Sequence, residues 1–162
     1  MKHLIRFSVA LGLIMVLSGV AHATGFDQIG RVDVITALSI SQTSILDFGT
    51  VSANDGFLTL DTSDTITADA NGISVPGGSI ASGDYTISGE SGSTVQVVLS
   101  AGSMPAGLAL TNFTTFPADL SAATLTGGNL QFNIGADLTM TAASVATGTN
   151  QALNFTIAVT YQ

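Results

Sequence analysis

The stretch Leu153-Asn-Phe-Thr-Ile-Ala-Val-Thr-Tyr161 alternates apolar and polar or small side chains without a break. In an extended chain, successive side chains point to opposite faces, so this alternation is typical of a β-strand with one buried face. The predicted inward side chains are Leu153, Phe155, Ile157, Val159 and Tyr161. The stretch therefore predicts a strand that lies over a hydrophobic core.

The same period of two recurs along the chain, and no segment after residue 23 shows a helical apolar stripe. Further inward residues are predicted at Tyr85 and Ile87, at Val95, Val97 and Leu99, at Leu108 and Leu110, at Leu130, Phe132 and Ile134, and at Leu138 and Met140. Eight or nine short strands separated by Gly, Asn and Asp predict an all-β protein. Such a pattern is typical of a β-sandwich or a barrel, and the expected fold class is a β-sandwich.

Turn-forming residues predict how some of these strands connect. Asn54-Asp55-Gly56 separates Phe48–Val51 from Phe57–Leu60, and an Asx-Gly pair between two such runs predicts a β-hairpin. A second turn is predicted at Gly135-Ala136-Asp137, where it would separate two strands. Longer surface loops are predicted at Pro76–Gly83 and Ser100–Gly107.

Residues 1–23 have the composition of a secretory signal peptide. Lys2 and Arg6 precede an apolar run over residues 7–20, and Ala21 and Ala23 supply the small residues that signal peptidase requires. An uncleaved anchor would need an apolar run of about 20 residues. We therefore expect transport across the inner membrane to the periplasm, and then to the cell surface or the medium.

The composition after residue 23 restricts the possible functions. Residues 24–162 contain no His, Cys or Lys, and eleven acidic residues against Arg31 leave a formal net charge of −10. Nucleic acids and anionic membranes both require basic patches, so neither is an expected partner of the mature form. Without these side chains there can be no Ser-His or Cys-His pair and no lysine Schiff base. We expect a non-enzymatic protein with no cofactor.

The stretch Asp61–Gly72 is rich in carboxylate and amide oxygens. Calcium prefers oxygen ligands, but the spacing lacks the closing Glu of an EF-hand loop. Two consecutive turns capped by Asp side chains would explain the same residues. Both interpretations remain open from the sequence.

Several blocks in a fixed order resemble one known family. They are Leu38–Ile40, Leu46–Gly49, Tyr85–Glu90, Gly92–Val97, Leu108–Phe113, Phe132–Leu138 and Phe155–Gln162. In this respect the chain is similar to bacterial exported proteins catalogued as a domain of unknown function, number 4402. The resemblance implies no activity.

A looser resemblance is to pilin subunits assembled by a chaperone and an usher. Tyr161 is penultimate, and Gly148 is the fifteenth residue from the end. This resemblance implies an immunoglobulin-like or pilin-like β-sandwich. It also implies that Leu153–Tyr161 borders a groove into which a neighbouring subunit inserts its N-terminal extension. The partners would be copies of this chain or related subunits, and possibly a periplasmic chaperone.

The corresponding extension would be residues 24–37, and the sandwich would be residues 38–162. The side chains on one side of the extension are the candidate donor residues, namely Gly30, Val32, Val34 and Thr36. Alternatively, Arg31–Gln42 is the first strand of a complete sandwich, because any half-buried strand alternates in this way.

The sequence therefore leads to an expected structural role, as a pilin-like or surface-fibre subunit. A second hypothesis is a self-contained secreted binding module or adhesin that recognises a glycan or a surface through the loops Pro76–Gly83 and Ser100–Thr115. A third is a matrix or coat protein without a discrete ligand.

Overall fold

The computed structural model describes residues 32–69, 73–145, 147–148 and 151–162. The chain divides into two units between Val34 and Ile35. The first unit contributes only residues 32–34 to the described part, and these lie in no strand. The second unit, Ile35–Gln162, carries every strand of the described residues. The predicted signal peptide, with Ala21 and Ala23, lies outside the described residues.

The described residues form nine strands and no helix, which confirms the all-β prediction. Accordingly, none of them belongs to a helix that could span a membrane. The strands are β1 (Ser39–Ser44), β2 (Gly56–Leu60), β3 (Ile66–Ala68), β4 (Gly83–Ser88), β5 (Thr94–Ala101), β6 (Leu108–Phe116), β7 (Ala123–Thr124), β8 (Asn129–Met140) and β9 (Phe155–Tyr161).

The strands form two antiparallel sheets. The large sheet has the order β1-β4-β8-β2-β3, with β6 also paired to β8, and the small sheet has the order β7-β5-β9. On one edge, β8 pairs with β4 through Asn129–Ile134 and with β2 through Ala136–Met140. On the other edge it pairs with β6. The long strand β8 thus joins the two halves of the large sheet.

The turn predicted at Gly135-Ala136-Asp137 is wrong, because β8 continues through these residues. Ala136 lies in the core with Ile134 and Leu138, so the alternation is not interrupted. Gly135 is needed for the close contact between two strands. A Cβ at this position would collide with the backbone carbonyl of Leu60, so the glycine allows β2 and β8 to approach closely.

The hairpin predicted around Asn54-Asp55-Gly56 is also wrong. The strand β2 pairs with β3 on one edge and with β8 on the other, so no edge remains for Phe48–Val51. The chain before the turn instead forms isolated bridges between Asp47 and Ala81 and between Thr50 and Gly77. Asn54-Asp55-Gly56 therefore lies in a connection that leads from these bridges to β2 and does not form a hairpin.

The inner face of the large sheet buries two groups of side chains. The first cluster contains Leu58, Leu60 and Leu138, and the second contains Ile87, Phe132 and Ile134. The small sheet covers the second cluster through β5 and β9. Irregular segments cover the first cluster, through Leu46, Phe48, Ile73 and the partly buried Val51, Val75, Ile80, Met104, Val145 and Leu153.

Candidate functional site

Strand β9 follows the predicted alternation. Its odd-numbered side chains, from Phe155 to Tyr161, pack on the second cluster, whereas Thr156, Ala158 and Thr160 are exposed. Leu153 lies before the strand and packs on the first cluster. None of the odd-numbered side chains is fully buried, although Val95 on the adjacent β5 is completely inaccessible. The inner face of β9 is thus incompletely covered.

One edge of β9 has no strand partner among the described residues. β9 pairs only with β5, in a register that joins Tyr161 to Val95 and Phe155 to Ala101. The Gln162 N–H donates to the Thr94 carbonyl at 3.0 Å, so even-numbered residues direct their backbone groups towards β5. The backbone groups of Phe155, Ile157, Val159 and Tyr161 therefore point away from β5.

This edge lacks the features that usually protect an exposed strand. Natural edge strands carry charged residues, Pro or bulges that prevent another strand from pairing. Phe155–Tyr161 contains no charged residue and no Pro, and its pairing with β5 has no register shift. Among the described residues, this edge of β9 therefore has neither a strand partner nor a feature that would oppose pairing.

At one end of this edge, three residues form a hydrogen-bonded group that we call the Thr36–Glu90–Tyr161 tie. The Tyr161 hydroxyl accepts a hydrogen bond from the Glu90 N–H and donates one to the Thr36 carbonyl, both at 2.6 Å. Glu90 Oε2 accepts from the Thr36 hydroxyl at 2.7 Å and from the Thr36 N–H at 3.1 Å. The tie fixes Thr36 beside the end of β9.

The tie also explains the electrostatics of Glu90. The Thr36 hydroxyl, and secondly the Thr36 N–H, stabilise the charged form and lower the pKa of Glu90. Residues 32–162 contain no Lys, Arg or His, so no cation of this part contributes. Sequence reasoning singled out Thr36 and Tyr161 for other reasons and missed Glu90, because its partners lie 54 and 71 positions away.

The candidate donor residues occupy different environments. Val32 and Val34 lie in no strand, and 83% and 88% of their surfaces are exposed. Ile35 is 54% exposed. Thr36 is held in the tie, and Gly30 lies outside the described residues. The structure therefore brings one of the four predicted donor residues to Tyr161 of the same chain.

The acidic side chains after β2 have backbone partners. Asp61 Oδ1 accepts from the Ser63 and Thr65 N–H groups, and Asp64 Oδ1 accepts from the Ser82 N–H at 2.6 Å. The hydrogen bonds from Ser82 lower the pKa of Asp64. No group of three or more His, Cys, Asp or Glu that could hold a metal occurs in the described residues. Residues 70–72 of the calcium hypothesis lie outside them.

An open groove of about 450 Å³ lies on the other side of β5. It is lined by Val97, Leu99, Phe113, Thr115, Asp119 and Leu120, among others. Two of these residues lie within the predicted binding loop Ser100–Thr115, but they belong to strand β6. The groove combines an aromatic ring with hydroxyl and carboxylate groups.

Comparison with known proteins identifies the family. Residues 38–161 match the family described as Domain of unknown function (DUF4402), and the chain belongs to this family. The family resemblance stated from the sequence is thereby confirmed. Neither a curated protein nor a solved structure matches the chain.

Proposed function

We propose, from the open edge of β9, that the protein is a non-enzymatic structural subunit of the bacterial surface. Residues 1–23 would direct its export and be removed. The mature chain would be a pilin-like, immunoglobulin-like sandwich that assembles with copies of itself or related subunits by strand donation. A periplasmic chaperone would cover the edge before assembly.

The observation that supports this proposal most is the free edge of β9. Four residues direct backbone donors and acceptors away from β5, and the side chains of the same residues are only half-buried. An added strand would pair with the backbone groups and cover the side chains at the same time. Both effects favour strand addition over binding to a flat face.

The segment proposed to supply this strand precedes Thr36. Val32 and Val34 are apolar, spaced by two residues and exposed, so they can enter another apolar face. Burying a Val side chain contributes roughly 1.5–3 kcal/mol. Gly30 would occupy the adjacent inward position, where the absence of a side chain suits a shallow pocket. Thr36 would remain in the tie of its own subunit.

The test is the double substitution Val32→Asp with Val34→Asp in the full chain, expressed in its host. Buried carboxylates without partners oppose strand insertion, so we expect the high-mass species to be lost. Protein recovered from the cell surface is sized by light scattering after gel filtration. The matched control is Ile40→Asp with Ile45→Asp, which charges two exposed aliphatic residues in and just after β1 and should preserve assembly.

A measurement of folding makes the result interpretable. The circular dichroism of the Val32/Val34 variant should match that of the wild type, because these residues lie in no strand. Full-size polymers formed by a Val32→Asp/Val34→Asp protein with wild-type circular dichroism would contradict the proposal.

The groove beside β5 favours a second candidate function, a monomeric binding module for a glycan. Phe113, Thr115 and Asp119 could offer a ring face and polar groups to a sugar. In this case the protein would be monomeric at the cell surface, and Asp119→Ala would reduce glycan binding without changing its size. Binding unaffected by Asp119→Ala would exclude this groove as the site.

A further inference from the structure

We propose that the outer face of the large sheet binds a neutral polysaccharide chain, with Asn112, Phe116 and Asp137 at the centre of the contact. The outer face consists of the strand residues that point away from the two buried clusters. It belongs to the large sheet, whereas the edge of β9 belongs to the small sheet. Binding at this face therefore does not depend on strand donation.

The outer face is polar but carries few charges. In β8 the even-numbered residues from Phe132 to Leu138 lie in the core, so the odd-numbered residues point outwards. The outward side chains of β8 are Asn129, Gln131, Asn133, Asp137 and Thr139. Half of the residues paired with them in β2, β4 and β6 are Ser or Thr. Among the described strands of the large sheet, Asp84 and Asp137 are the only charged residues. Such a surface offers hydrogen-bond donors and acceptors without a strong field.

A bulge in β6 places Asn112 on this face. The pairing of β6 with β8 shifts register between Thr111 and Thr114, and Asn112 has a left-handed φ of 48°. Asn112 Nδ2 donates to Asp137 Oδ2 at 2.7 Å, and the Thr59 hydroxyl donates to Asp137 Oδ1 at 2.6 Å. Bulges redirect side chains, and left-handed residues other than Gly cluster at ligand sites. The bulge therefore holds an exposed amide beside an oriented carboxylate, whose oxygens can each accept one more hydrogen bond.

Two aromatic rings lie on either side of this polar centre. Phe116 of β6 is 67% exposed and pairs with Asn133, and Phe57 of β2 is 44% exposed and pairs with Thr139. Asp137 lies between these two positions along β8. At about 3.4 Å per residue, the six residues from Asn133 to Thr139 span roughly 20 Å. The site is therefore elongated, which suits an extended polymer better than a single sugar.

The charge of the chain selects among polymers. Residues 32–162 contain acidic residues but no Lys, Arg or His, so an anionic polysaccharide would be repelled. The core of a protein–protein contact is depleted of polar side chains, whereas the large apolar groups here are two separated rings. A neutral polysaccharide can exchange hydrogen bonds with the amides, hydroxyls and carboxylate, while the C–H faces of its rings contact Phe116 and Phe57. A β-1,4-linked chain has the extended form that this site requires.

The test is the binding of cellohexaose, xylohexaose and mannohexaose, three neutral β-1,4-linked oligosaccharides, to the full chain recovered after export. Isothermal titration calorimetry measures each affinity, and an oligogalacturonate of the same length is the anionic comparison. We expect at least one neutral oligosaccharide to bind with a dissociation constant below about 1 mM. The oligogalacturonate should not bind, because its carboxylates meet an acidic protein.

Variants of the face show where the sugar lies. Phe116→Ala removes an exposed ring and should lower the affinity by about tenfold or more, whereas Phe116→Tyr keeps the ring and should preserve binding. Asn112→Gly retains the left-handed backbone without the amide and should lower the affinity about fivefold, as expected for one hydrogen bond. The controls are Val98→Ala on the small sheet and Asp119→Ala in the groove beside β5, and neither should change the affinity. The circular dichroism of every variant should match that of the wild type.

Absence of binding by all three neutral oligosaccharides at millimolar concentrations would overturn the proposal. Equal affinity for the oligogalacturonate would overturn it as well, and so would affinities unchanged in both Phe116→Ala and Asn112→Gly. Loss of binding in Asp119→Ala with full binding in Phe116→Ala would place the sugar in the groove beside β5 and not on this face. Polymerisation is measured separately by size, so a failure of strand donation would leave these outcomes unchanged.

Discussion

The two halves of the large sheet bury similar side chains under different covers. Over the second cluster, β5 and β9 form a regular sheet with continuous backbone pairing. Over the first cluster, the segments around Phe48 and Ile73 form only isolated bridges. The regular cover ends in an unprotected edge, whereas the irregular cover offers no continuous ladder. The regular cover thus leaves one continuous strand edge of β9 without a strand partner among the described residues.

The largest expected effect is the loss of stability when one buried side chain is truncated in each half of the large sheet. Phe132 and Leu58 are almost inaccessible to solvent, in the second and first cluster respectively. We expect Phe132→Ala to destabilise the domain by about 3–5 kcal/mol and Leu58→Ala by about 2–5 kcal/mol. The lower value should apply to Leu58, because irregular segments can collapse into the cavity. Equilibrium urea unfolding measures both, and a larger loss for Leu58→Ala would reverse this comparison.

The next effect tests the junction between the halves. In Gly135→Ala the new Cβ would collide with the Leu60 carbonyl, and overpacking of this kind costs roughly 1–3 kcal/mol. The control is Gly148→Ala, whose Cβ would meet mainly the flexible side chain of Gln151. Thermal unfolding should show a loss for Gly135→Ala only. Equal stability of the two variants would mean that β2 can move away from β8.

A smaller effect tests the hydrogen bonds of the Thr36–Glu90–Tyr161 tie at the end of β9. Tyr161→Phe removes both hydrogen bonds of the hydroxyl and should cost about 1–3 kcal/mol. The matched control is Tyr85→Phe, which removes one hydrogen bond, from Gln42. Hydrogen exchange of the Glu90 amide should accelerate in the first variant and not in the second. Unchanged exchange would indicate that the tie is unimportant for this end.

The smallest effect concerns pH and compares one carboxylate from each half. The folded pKa values of Glu90 and Asp64 are lowered from 4.5 and 3.8. Each group therefore contributes stability that is present above its unfolded pKa and is lost as the pH falls through its folded pKa. We expect Glu90→Gln and Asp64→Asn each to be less stable than wild type near pH 7, with smaller differences near pH 3. Differences that grow on acidification would contradict this sign.

The alternation of side chains predicted the inward faces of β4, β5, β8 and β9. It could do so because the direction of a Cβ in an extended chain is a local property. The two errors, at Asn54–Gly56 and Gly135–Asp137, have a common origin. Gly, Asn and Asp favour turns but also serve at close contacts and connections between layers. Which use applies depends on neighbours that are distant in sequence.

The candidate site also combines features that the sequence predicts with features that depend on the tertiary structure. The apolar character of β9 and the alternation of Val32 and Val34 before Thr36 can be read from the sequence. The tie could not be predicted, because Thr36 and Tyr161 are 125 positions apart and no local pattern marks Glu90 as their common partner. Nor could the free edge, since an edge is defined by the strands that pair elsewhere.

By itself, the sequence determined that this protein is built from one-faced β-strands and that its acidic, cysteine-free chain is held together without disulfides. These are consequences of side-chain chemistry and of extended backbone geometry. The tertiary structure decided which strands share a sheet, which segments cover each cluster, and which edge of β9 is left without a strand among the described residues. Those outcomes depend on long-range competition for hydrogen-bonding edges, which residues near in sequence cannot settle.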